Sequence, residues 1–162
     1  MNLETNNQSI IQNFVDIQEV YTIRHQTNEN FSTVKFWLMQ IKYSGYSKKM
    51  MHKVIHYILQ LKEKSRYTEA AQLLLVSAAT HDALALHVLA RELIFGILFE
   101  KNEAAAFGIL TNLSEKEYPE VLCDLAYFYQ HGIVIQKDKK QARRYYEKAA
   151  SLGVTRAKKY IN

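Results

Sequence analysis

The side chains that could do chemistry in this chain are few and widely spaced. His52 and His56 stand four apart, a spacing that puts two imidazoles on one helix face within reach of one metal ion. A zinc-peptidase pattern would place Glu directly after the first histidine, but Lys53 stands there and no nearby acidic cluster offers a third ligand. Cys123 is the only cysteine, so neither an intrachain disulfide nor a thiolate zinc cluster can form. Glu115 and Glu117 lie in a polar stretch and read as solvated charges rather than an acid–base pair. The five glycines are scattered, which leaves no phosphate-cradling loop. The expectation is a chain with no catalytic residues, no metal and no cofactor.

The elements that carry these residues are helical. With 162 residues, 48% apolar, the chain can bury a core without cross-links. Five Gly and one Pro supply too few turn positions for a sandwich or barrel, which leaves the all-α class. Apolar stripes at helical spacing run through Ile10, Phe14, Ile17 and Tyr21, with Ile11 and Val15 beside them. A second stripe of Val34, Trp37, Leu38 and Ile41 predicts a helix over 32–43, broken by Ser44-Gly45. The next, over 48–64, turns Val54, Tyr57, Ile58 and Leu61 inward, and Thr68 reads as the N-cap of a helix starting at Glu69. The start of the chain is polar, with no apolar core of a secretory signal, and no run approaches the ~18–20 apolar residues of a membrane span. A cytoplasmic location is expected.

Shifting the chain by 36 residues lays one stretch over another. Leu89-Ala90 falls on Leu125-Ala126, Gly96 on Gly132, Asn102 on Asp138, Ala106 on Ala142 and Leu110 on Tyr146. The alanines are small where helix axes must cross closely. The glycines suit a left-handed helix end, and Asn102 and Asp138 stand where an N-cap belongs. A helix–loop–helix unit of this kind cannot bury its own face and must stack on a neighbour.

The stretch from Leu125 to Gly153 closely resembles a Sel-one-like repeat, the long-looped relative of the tetratricopeptide repeat. Leu125-Ala126, Tyr129, Gly132, Ile135, Asp138, Ala142, Tyr145-Tyr146, Lys148-Ala149-Ala150, Gly153 and Ala157 carry the likeness. Val134 stands where a second Gly is usual, and Gln141 where Lys is usual. In the preceding copy Ile109-Leu110 replaces the aromatic pair and Glu117 the closing Gly. The resemblance implies a short right-handed α-solenoid: an N-terminal helical cap (1–45), a degenerate repeat (46–81), repeats at 82–117 and 118–153, and a C-terminal cap (154–162). Together, residues 46–162 would hold about three helix pairs within one structural domain.

In that family the first helices of successive repeats line a concave groove that binds a protein or peptide. By residue, the pattern implies an inner face of Leu84, His87, Arg91, Ile94 and Phe95 in one repeat and Glu120, Cys123, Tyr127, Gln130 and His131 in the next. Arg and aromatic side chains suit such a face, because they dominate interface hot spots. Cys123 and His87 lack an orienting third group and do not form a catalytic pair. The resemblance, with a composition rich in Lys, Ile, Asn and Tyr, points to a bacterial adaptor, regulator or immunity-type protein.

The net charge of +5 conceals segregation. Residues 42–66 carry seven basic and one acidic side chain, residues 67–131 three and nine, and residues 132–162 nine and two. The run Lys137, Lys139, Lys140, Arg143 and Arg144 gives the alternative of polyanion or nucleic-acid binding, although the acidic middle interrupts any continuous basic groove. The 31–43 helix is apolar on more than one face, which predicts either deep burial or a homodimer contact.

Overall fold

The computed structural model describes residues 12–14 and 16–161; Ile10, Ile11 and Val15 lie outside the described residues. Packing divides the chain into two compact units, one ending at Lys101 and the next beginning at Asn102. That division falls inside the stretch assigned to the 82–117 repeat, not at the end of the N-terminal cap.

The first unit contains α1 (residues 12–14 and 16–20), α2 (Ser32–Ser44), α3 (Lys48–Glu63), α4 (Tyr67–Ala78) and α5 (Ala83–Phe95). Its centre is α4, in which every residue from Thr68 to Ala78 except Gln72 is buried. A helix apolar nearly all round has no solvent face to offer, so α2, α3 and α5 pack against it. Two buried carboxylates are paired: Glu69 accepts the Thr33 hydroxyl and meets Arg66, and Glu92 meets Lys62. Burial without those partners would cost several kcal/mol, so the pairs lock α2 to α4 and α3 to α5.

Two local expectations are corrected here. In α3 the buried residues are Met51, Ile55, Ile58 and Leu61, while Val54 and Tyr57 are only half-buried. Both sets share helical spacing, and the packing against α4 selects the former. Thr68 is no N-cap, because α4 begins at Tyr67, and its hydroxyl instead donates to the carbonyl of His25. That distant acceptor satisfies a buried hydroxyl that a helix interior would otherwise leave to back-bond.

After α5, the loop to Lys101 is held by the segment between α1 and α2. Arg24 N–H donates to Leu98 C=O at 3.0 Å and Glu100 N–H to Thr22 C=O at 3.0 Å, forming an antiparallel bridge of Ile23 with Phe99. The Phe99 ring is fully buried and meets Tyr21 edge-on.

The second unit contains α6 (Glu103–Glu115), a 3-10 turn (Pro119–Val121), α7 (Leu122–His131), α8 (Lys139–Ser151) and a 3-10 helix (Thr155–Tyr160). Asn102 and Asp138 cap α6 and α8, accepting from Ala105 N–H at 3.0 Å and Gln141 N–H at 2.9 Å. Each cap is worth about 1 kcal/mol. Gly132 ends α7 at φ 70°, its N–H returning to Phe128 C=O, and Gly96 ends α5 in the same way at φ 69°. Ala106, Ala126 and Ala142 are buried, and Leu122, Cys123, Ala126, Tyr146, Ala149, Val154 and Ala157 form one cluster. The 3-10 helix closes it, with Tyr160 stacked on Tyr146 at 4.3 Å and Arg156 paired with both oxygens of Asp124 at 3.1 and 3.2 Å.

The backbone repeats more faithfully than the sequence does. Positive φ recurs at His81 (60°), Glu117 (58°) and Gly153 (88°), each 36 residues from the next. Only the last is glycine.

Candidate recognition faces

Each expected inner face lies within its own unit. On α5, Arg91 and Phe95 are exposed, Leu84 and Ile94 are half-buried and His87 is buried. In the 3-10 turn Glu120 is exposed; on α7, Tyr127 and His131 are exposed, Gln130 is half-buried and Cys123 is buried. The register explains the split. His87 and Cys123 occupy equivalent positions, and both are buried.

The equivalent exposed positions form pairs one helical turn apart. The Arg91 guanidinium lies 5.6 Å from the centre of the Phe95 ring, and Tyr127 lies 4.4 Å from the His131 ring. Phe95 is 54% exposed and Tyr127 44%. An exposed cation–aromatic contact contributes only about 0.5–1 kcal/mol to the fold and a ring pair about 0.5–1.5 kcal/mol, so these rings are held without being needed for the core. They are pre-positioned, a condition that reduces the ordering cost of binding.

Within the second unit, polar contacts support α7. Gln130 accepts a hydrogen bond from the Tyr146 hydroxyl at 3.1 Å, and the Glu120 carbonyl accepts from the Arg156 guanidinium. Burial pushes the Tyr146 phenol up to about 12, with Tyr160 adding to the rise. Burial also raises the Cys123 thiol above its ordinary value; Arg156 opposes the rise, and Asp124 and Glu120 add to it. A thiol kept protonated is a poor nucleophile and a poor metal ligand. The role of Arg156 was not visible in the sequence, since nothing local links it to Glu120 or Asp124.

Elsewhere, His52 and His56 are both exposed, and His56 Nε2 contacts the Gln60 side chain at 3.2 Å. Among the described residues no group of three or more potential ligands could hold a metal ion. Lys137, Lys139, Lys140, Arg143 and Arg144 are all exposed around the start of α8, and Arg143 pairs with Glu147 at 2.8 Å. No described helix is long and apolar enough to cross a membrane.

Comparison with known proteins places this geometry. The family model for the Sel1 repeat matches residues 119–154, which covers α7, its loop and α8. The crystal structure of a Sel1 repeat protein from Oxalobacter formigenes shares the fold at a TM-score of 0.52 and 19% identity, covering 95% of each chain. No curated protein matches. The fold is thus the α-helical repeat solenoid expected from the sequence. Sel1 repeats are in general protein–protein interaction modules and not catalysts. One Sel1 repeat is thus matched at residues 119–154, and along the rest of the chain the likeness to the solved Sel1 repeat protein is one of fold.

Proposed function

We propose that the protein is a non-catalytic binding module that recognises a partner protein or peptide through the first-helix faces of its repeats, acting as a bacterial adaptor, regulator or immunity-type protein. The observation that carries this reading is the recurrence of an exposed, pre-positioned side-chain pair in the same register. Arg91 with Phe95 and Tyr127 with His131 stand 36 residues apart and leave their rings facing solvent. Arg and Tyr are the residue types on which interface energy concentrates. Ile94 and Gln130 lie beside these pairs and Glu120 in the 3-10 turn before α7, offering one apolar and two polar neighbours.

Affinity capture from the native cell, read by mass spectrometry, identifies the partner. Arg91→Glu with Tyr127→Ala then abolishes capture while helicity and melting temperature stay unchanged, because both side chains are exposed. Capture retained by that folded variant refutes the assignment.

A second reading has its own observation. Lys139 and Lys140 occupy the first turn of α8, where the helix dipole disfavours cations, and five exposed cations cluster there. This would suit a polyanion such as nucleic acid. Charge reversal of Lys139, Lys140, Arg143 and Arg144 should remove any low-salt shift of labelled DNA or RNA. Absence of a shift with the unaltered protein eliminates this reading.

A further inference from the structure

The first unit carries an apolar cleft that the repeat faces do not use. Phe36 and Trp37 of α2, Val54 and Tyr57 of α3 and Leu73 of α4 line a space of about 450 Å³, with Ser32, Thr33 and Lys53 at its edge. That volume is in the range of ligand-binding clefts. The cleft exists because α3 buries Met51 and Ile55 against α4, which turns Val54 and Tyr57 outwards. Phe36 is 67% exposed, and it continues along α2 through the exposed Met39 and Tyr43. The spacing of i, i+3 and i+7 makes this a second apolar stripe on a helix whose other face is already packed.

Charge identifies what fits there. Helices α2 and α3 hold Lys35, Lys42, Lys48, Lys49, Lys53 and Lys62 against one carboxylate, Glu63. Lys62 is taken by Glu92. The other five lysines have no carboxylate partner among the described residues, and Lys53 stands on the cleft itself. A second copy placed on this face by a two-fold axis would set lysine against lysine, which costs rather than contributes. The complementary occupant is apolar on one side and acidic on the other.

We propose that the α2–α3 cleft is a second docking site, separate from the repeat faces, for an acidic amphipathic helix of a partner protein. Its apolar anchors would enter the space between Phe36, Val54 and Tyr57, and its carboxylates would meet Lys49 and Lys53. This is helix-in-groove recognition with a basic rim.

The test uses the full chain and a fluorescein-labelled, end-capped peptide of sequence EELFDDLFEE, with KKLFKKLFKK as its charge-reversed control. Fluorescence anisotropy should show binding of the acidic peptide that weakens as salt rises, and none of the control. Phe36→Ala, and separately Lys49→Glu with Lys53→Glu, should each weaken binding by at least about tenfold, the size of an interface hot spot. All three side chains are exposed, so circular dichroism should report an unchanged fold. The Arg91→Glu/Tyr127→Ala variant should bind the peptide normally. No binding, equal binding of the control, or binding unaffected by the cleft variants overturns the proposal. So does loss of binding in the Arg91/Tyr127 variant, which would assign the peptide to the repeat face. A dimer in sedimentation that Phe36→Ala converts to monomer would overturn it in favour of a second copy.

Discussion

The loop after α5 and the loop after α7 begin alike and end differently. Both start from a left-handed glycine, Gly96 or Gly132, and both lead to a side-chain-capped helix at Asn102 or Asp138. The first loop is sealed by a neighbour: the strand-like segment 22–24 bonds to it, and Leu98 and Phe99 are fully buried. The second closes on its own helix pair through Asp138 N–H to Tyr129 C=O at 2.8 Å, and leaves Val134 52% exposed at φ 66°. One repeat plan therefore tolerates two ways of stabilising its loop. Where tertiary contacts cover the loop, its large apolar side chains are buried. Where they do not, the backbone must hold its own strain.

The largest test of that difference is at the equivalent positions Phe99 and Ile135. Phe99→Ala removes a fully buried ring and should cost about 3–5 kcal/mol in chemical denaturation. Ile135→Ala, at a half-buried site, should cost under about 2 kcal/mol. Comparable losses would show that both loops are sealed.

The next effect separates the two glycines. Each alanine substitution incurs about 1–2 kcal/mol for the left-handed conformation. At Gly132 the new Cβ would also stand 3.2 Å from the backbone nitrogen of Lys137 and 3.3 Å from its Cα, which cannot yield cheaply. At Gly96 the nearest atoms all belong to the flexible Lys101 side chain, the closest at 2.6 Å. Gly132→Ala should therefore lower the melting temperature more than Gly96→Ala.

Relief of strain is smaller and of opposite sign. Val134 is β-branched at positive φ, and Val134→Gly should stabilise the protein by about 0.5–1 kcal/mol after the entropy of the added glycine is deducted. A loss of stability would mean that the exposed valine makes contacts worth more than its strain.

An effect of similar size at neutral pH concerns the positions Leu110 and Tyr146, which are equivalent in register and both buried. Tyr146 is raised from 10.0 to about 12 by burial, with Tyr160 adding to the rise. The folded state thus holds its phenol proton where the unfolded chain loses it. Stability is intact below pH 10 and falls as pH rises from 10 towards 12. Tyr146→Phe should lose only about 0.5–1.5 kcal/mol near pH 7, the value of its hydrogen bond to Gln130, and should flatten the alkaline decline. An unchanged decline would place the alkaline sensitivity elsewhere.

The helical class, the glycine ends at 96 and 132, the caps at 102 and 138 and the buried alanines were all legible in the sequence. Each depends on a local rule: a left-handed residue, a side chain reaching an N–H three residues on, a methyl group where axes cross. Local rules also spoke for Thr68 as a cap and for Val54 and Tyr57 as core, and there they failed. Thr68 found a distant carbonyl, and α3 had two apolar faces of nearly equal merit from which its packing on α4 chose one.

The exposed faces of α5 and α7 were legible to the same degree. Spacing alone put His87 and Arg91 on one face, yet four residues is slightly more than one turn, and that offset buries the first and exposes the second. The sequence by itself determined the period, the helix ends and the segregation of charge, because these follow from bonds and preferences within one turn of the chain. The tertiary structure decided which side of each helix meets water, which loop is sealed and where an apolar cleft remains beside unpaired lysines. Those outcomes depend on which distant surfaces compete for the same face, and no local pattern encodes that competition.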